Sequence, residues 1–169
     1  MDQPYDKIRD TLAYFEVDNN LPYYVSSGKK QMEYPQKPFR MDYYSLCICT
    51  EGDIDIAIDG HQHYIKQFTL LIARPATIIA FHNNSEDFRM KLLFFEKEFL
   101  LKYISDPFII ERLAFFKDRS FELIQLKEQD AKKLIKLMKY LESKIEADLK
   151  FKDEIVRTII FNLLLETAE

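Results

Sequence analysis

The chain has 169 residues, of which 47% are apolar and 14% aromatic, and its formal net charge is −4. That supplies one core, in a single domain or a domain with a helical appendage. The acidic balance excludes the broad Lys/Arg face with which a free-standing nucleic-acid binder neutralises phosphates.

The first 38 residues carry weak signals: a short helix over Ile8–Glu16, and an edge strand over Leu21–Ser26 entered through Pro22. Pro35 and Pro38 break the chain ahead of the stretch Arg40–Asn84, which reads as strands and turns. Tyr43–Thr50 is aromatic and apolar without alternation, as in a strand buried on both faces. Glu51-Gly52-Asp53 makes the first turn. Ile54, Ile56 and Ile58 then alternate with Asp53, Asp55 and Asp59, the period-2 pattern of a strand with one wet face. Asp59-Gly60 is a strong hairpin signal. Further strands are expected around His63–Ile65, over Phe68–Ala73, over Thr77–His82 after Pro75, and over Phe88–Phe95. Short strands joined by tight turns describe an antiparallel sandwich or barrel.

Beyond this sheet, Lys97–Ser105 reads as a short helix stopped ahead of Pro107. Pro107–Phe116 reads as a second short helix and Phe121–Leu126 as a brief extended segment. From Lys127 to Asp148, Ala131, Leu134, Ile135, Met138, Leu141 and Ile145 form one helical stripe. A second helix is expected over Lys152–Thr167, with Asp153 and Glu154 in the first turn, where the helix dipole favours them.

No run approaches the roughly 18 apolar residues that span a bilayer, and the polar Met1–Asp10 lacks a signal-peptide core. Cys47 and Cys49 are the only cysteines. Two apart on one strand, they lie roughly 6.5–7 Å from each other, at or beyond disulfide reach. Reduced core thiols in a cytoplasmic protein follow, and the Asn83-Asn84-Ser85 sequon is set aside. There is no Gly-rich phosphate loop, no GxSxG and no HExxH, so no catalytic residues are expected.

Arg40-Met-Asp-Tyr-Tyr44, Glu51-Gly52, Asp59-Gly60 and Ala73-Arg-Pro75, in this order and spacing, resemble the sensor domain of AraC-type transcriptional regulators. The resemblance covers roughly residues 20–168. It implies a mainly β fold with α: a cupin-like antiparallel β-barrel (jelly roll) over residues 1–96, then a helical region over 97–169 ending in a helical hairpin. It also implies a small-molecule effector in the barrel, a homodimer formed through the helices, and DNA binding only by a C-terminal helix-turn-helix domain outside this sequence. No membrane partner and no cofactor are expected.

Two readings compete: a ligand-free dimerisation module, and a small stand-alone cupin enzyme with a metal held by three His and a Glu. With Gly52 and Pro75 as anchors, the four ligand positions fall at Phe39, Met41, Ser45 and Ile79, none a suitable donor. His61 and His63 form an HxH just after Asp59-Gly60, and His82, the only other histidine, completes a site only if the fold brings it close, so no metal site is assigned. On the same overlay Tyr43, Ser45, Cys47 and Cys49 face the barrel interior, with Ile79 and Phe81 opposite. They either line a pocket for a small, mostly apolar or neutral ligand or simply fill the barrel. Arg40 and Arg74, near strand ends, are placed either to meet an acidic ligand or to pair with surface carboxylates. Leu134, Met138, Leu141 and Ile145 have the four-three-four spacing of a coiled-coil seam, and the resemblance makes them the expected dimerisation contact.

Overall fold

The computed structural model describes residues 4–28, 34, 36–113, 116 and 120–169. They form ten strands: β1 (Tyr5–Asp6), β2 (Tyr23–Val25), β3 (Phe39–Met41), β4 (Tyr44–Glu51), β5 (Asp53–Ile58), β6 (His61–Lys66), β7 (Thr69–Ala73), β8 (Ile78–Asn84), β9 (Arg89–Phe95) and β10 (Phe121–Gln125). Four helices join them: α1 (Ile8–Tyr14), α2 (Lys97–Leu101), α3 (Glu128–Glu146) and α4 (Lys152–Ala168). One sheet has the order β1-β3-β8-β5-β6 and the other β10-β7-β4-β9-β2. Every pairing is antiparallel except β1 with β3. The sheets do not close on each other, so the expected barrel is a two-sheet jelly roll.

Side-chain alternation explains the layering. In and beside β4, Tyr43, Cys47 and Cys49 point between the sheets, where they meet Ile54, Ile56, Leu71, Ile79 and Phe81. Tyr44, Leu46 and Ile48 point the other way, into a second core shared with Met138, Leu141, Ile160 and Leu163 of α3 and α4. Tyr44 stacks on Phe95 of β9, with ring centroids 5.4 Å apart. The second sheet is therefore buried on both faces, which is why β4 and β9 carry apolar residues without alternation. The first sheet keeps a wet face, and β5 alternates accordingly.

β10 lies in the stretch assigned from sequence to the helical region, yet it pairs with β7 along five residues and extends the second sheet. Polar ties hold α4 as well, one to that sheet and one to α2. Tyr23 Oη donates to Asp153 Oδ1 (3.1 Å), and the buried Arg157 donates from Nε to the Phe99 carbonyl of α2 (2.7 Å).

Some expectations need correction. Pro107–Phe116 contains turns over 107–112 and no α-helix among its described residues, and the helix expected over Lys97–Ser105 ends at Leu101. Ser105 and Pro107 interrupt the helical pattern, and the apolar content of the segment reflects burial of Ile110 and Phe116 in the helix-side core. β1 and β3, too short to show a period, escaped the sequence reading. At Asp59-Gly60 both residues have positive φ (50° and 82°), as a tight hairpin turn requires. Asp59 also accepts hydrogen bonds from the Ile78 amide (2.9 Å) and the Ser120 hydroxyl (2.6 Å), pinning the turn to both neighbours.

Gly52 closes the β4–β5 turn with φ +71°, and a Cβ there would lie 2.7 Å from Phe88 Cα and 2.7 Å from Asp87 Oδ1. Left-handed backbone strain and the clash act together. Gly52→Ala should lower unfolding free energy by about 2–4 kcal/mol. A urea midpoint equal to wild type would contradict this placement.

Candidate functional site

The six residues expected to line the interior do face it. Tyr43, Cys47, Cys49, Ile79 and Phe81 are buried between the sheets, and Ser45 is buried beside them. Tyr43 Oη donates to Thr11 Oγ1 of α1 (2.6 Å), and Cys49 Sγ lies 3.4 Å from the carbonyls of Glu51 and Gly52. Ser45 Oγ is buried beside the Cys47 thiol, with which it interacts. Burial pushes both thiols up to about 12, so they stay protonated and unreactive at neutral pH.

Arg40 is placed differently. It alternates with the buried Phe39 and Met41 and so leaves the interior. Its Nε donates to the Ala76 carbonyl (3.3 Å) and its guanidinium lies over the Tyr5 ring (4.3 Å). Of the four cupin ligand positions, Phe39 pairs directly with Ile79 and shares the core between the sheets with Met41, and Ser45 is buried in the facing sheet. Three of the four are apolar side chains filling that space. Among the described residues no group of three His, Cys, Asp or Glu side chains could hold a metal ion. His63 packs edge-on against Phe121, and His82 lies 3.4 Å from Gln62 Nε2, so the HxH does not converge.

The open space lies to one side of the predicted lining. A pocket of about 180 Å³ is walled by Leu12, Phe15 and Val17 at and after α1, by Tyr24 and Ser26–Gly28 at and after β2, by Tyr34, and by Met90 and Leu92 of β9. Phe15 and Tyr34 form its inner wall, and both rings contact Phe81 behind them, with centroids 6.1 and 5.2 Å away. Desolvation between the sheets raises the Tyr34 phenol well above the ordinary tyrosine range, so it remains a neutral donor. The pocket wall combines apolar side chains with hydroxyl and backbone polar groups in nearly equal measure, chemistry that suits a small neutral ligand with an apolar body and a polar end. Its residues come from four separate stretches, and the sequence offered no period or motif joining them. A larger groove of about 380 Å³ lies between β10 and the ends of α3 and α4, crossed by the Lys133–Glu166 ion pair. That groove does not lead between the sheets.

The expected dimerisation seam is also placed differently. Leu134, Met138 and Leu141 are buried against the second sheet and α4, and Ile145 packs against the same cluster. Their four-three-four spacing reports an intramolecular contact. Tyr140, Phe151 and Leu165 are the large apolar residues left exposed on this helical pair.

A family model described as the AraC-like ligand binding domain matches residues 24–158. Among solved structures, the chain is similar to an apo variant of ToxT from Vibrio cholerae strain SCE256, at 10% identity and a TM-score of 0.53. That match covers 88% of this chain and 56% of that one. It is also similar to the AraC-like transcriptional activator CuxR, at 12% identity and a TM-score of 0.40, covering 73% of this chain and 42% of that one. A Cupin 2 conserved barrel domain protein from Salinispora arenicola CNS-205 matches at 15% identity and a TM-score of 0.33, covering 46% of this chain and 66% of that one. None of the curated proteins matches the sequence significantly. The chain thus spans about half the length of the ToxT and CuxR chains it matches.

The buried thiols give a pH signature. Unfolded thiols lose their protons near the ordinary value of 9.0, whereas the folded ones hold theirs to about 12. Above the lower value the unfolded state binds fewer protons, so stability present at neutral pH is lost as pH rises between the two. Denaturant unfolding at about pH 8 and about pH 10.5 should show an alkaline loss that is smaller in the Cys47→Ala/Cys49→Ala variant. An equal loss in both chains would remove the thiols from the account.

Proposed function

The chain belongs to the AraC-like ligand-binding domain family, and from that membership we propose that it is the effector-sensing part of an AraC-type transcriptional regulator. The observation that carries the reading to a site is the pocket of about 180 Å³ beside α1, β2 and β9. Residues 1–96 supply most of the sensing sandwich, and 97–169 supply the helices through which occupancy is passed on. A cavity of about 150 Å³ lined by apolar side chains is known to accept benzene, so the pocket as it stands takes a small apolar or neutral molecule. Rotation of Phe15 and Tyr34 would enlarge it towards Phe81 and the space between the sheets. DNA binding belongs to a further domain of the regulator, consistent with the net charge of −4 here. Binding would bias the orientation of the attached parts by a ligand-driven population shift.

Dimerisation is part of the proposal. Since the apolar stripe of α3 is committed within the protomer, the contact between copies would use the outer faces of α3 and α4 around Tyr140 and Leu165. A two-fold dimer would match paired DNA half-sites. In sedimentation velocity over a range of concentrations, Tyr140→Glu/Leu165→Glu should shift the protein to monomer while leaving its circular dichroism unchanged. Two copies persisting in the variant would place the interface elsewhere.

The site itself is tested by a thermal-shift screen of small apolar and neutral compounds. A ligand at about 100 times its dissociation constant adds roughly 2.7 kcal/mol to the folded state. Val17→Trp, filling the pocket from its rim, should abolish the shift produced by any hit without lowering the unliganded melting temperature. A hit whose shift survives Val17→Trp binds somewhere else.

A further inference from the structure

Lys91 is 1% exposed, yet it lies in a strand whose neighbours Met90 and Leu92 wall the pocket. Alternation turns Lys91 to the opposite face, towards the helices. There Nζ donates to Glu142 Oε2 of α3 (2.8 Å) and to the Ser26 carbonyl (2.8 Å). Ser26 is itself a pocket residue, and its other polar groups are committed to the next residue of β9. Its amide donates to the Leu92 carbonyl (2.9 Å) and its hydroxyl accepts from the Leu92 amide (2.7 Å). Gly28 lies against the aliphatic stem of Lys91, its Cβ position 3.7 Å from Lys91 Cβ. One lysine therefore touches two walls of the pocket and one helix.

We propose that the Ser26–Lys91–Glu142 node is the element that transmits occupancy of the pocket to α3. The inference rests on the pocket reading above and names how that site is coupled. A ligand seated on Met90, Leu92 and Ser26–Gly28 displaces the backbone that carries Lys91 and its acceptor. Breaking a buried ion pair leaves an uncompensated charge, which costs far more than a small movement of the partner helix. The pair therefore stays closed and α3 moves with β9. Tyr23, on the helix-facing side of β2, makes the parallel tie to α4 through Asp153.

The test uses the isotopically labelled full chain and benzene as the probe, followed by NMR. Benzene should shift the methyl signals of Met90 and Leu92 and also the α3 amides on either side of Glu142. In the Lys91→Met/Glu142→Leu variant, which replaces the pair by apolar groups without stranding a charge, the Met90 and Leu92 shifts should remain and the α3 shifts should be lost. Lys91→Met alone provides the same comparison if the double variant does not fold, since the Glu142 side chain is 23% exposed and reaches water. Full α3 shifts in either folded variant overturn the transmission role. So does a wild-type chain in which Met90 and Leu92 respond while α3 stays silent. Met90 and Leu92 left unshifted in the wild type would instead overturn the pocket reading, and this inference with it.

Discussion

The two-sided burial of the second sheet governs the rest of the structure. β4 and β9, paired at its centre, expose apolar side chains on both faces, and neither face can be left to water. One face is met by the first sheet and the other by α3 and α4. The helices are thus structural partners of the sheet as much as a route to other domains. The alternating Asp residues of β5 set the contrast, because the outer face of the first sheet needs no cover.

How far this was legible in sequence depended on how much of each element's surroundings its own residues record. Continuous apolar character in β4 and β9, the Ile/Asp alternation of β5 and the Asp59-Gly60 turn each encode a local environment, and they were readable. The α3 stripe was readable as a buried face, but a stripe does not say what buries it. Leu134, Met138 and Leu141 could meet a second copy or their own sheet, and the structure assigns them to the sheet. Arg40 stayed open between an acidic ligand and a surface carboxylate for a related reason: its direction is set by alternation within β3, a strand too short to read. The pocket was beyond sequence reasoning altogether. Its walls are assembled from positions near 12–17, 24–28, 34 and 90–92, and only tertiary structure brings these together.

The predicted interior residues and the observed pocket are nevertheless adjacent. Phe81 packs behind Phe15 and Tyr34, so the space anticipated between the sheets and the space that is open share one aromatic partition. Burial keeps Cys47 and Cys49 protonated on the closed side, where they act as small apolar fillers. Ser45 adds a buried hydroxyl to that closed region, beside the Cys47 thiol.

Strand order also separates local from long-range pairing. In the first sheet β5 and β6 are consecutive and joined by a tight turn, so that hairpin can form within microseconds. No two neighbours in the second sheet are consecutive in the chain. Each of its pairings must close a loop before any contact offsets the lost entropy. Until β4, β7 and β9 meet, α3 and α4 have no surface on which to lay their apolar stripes. The helical pair therefore depends on a sheet drawn from distant parts of the chain, and so does the pocket wall carried by β2 and β9.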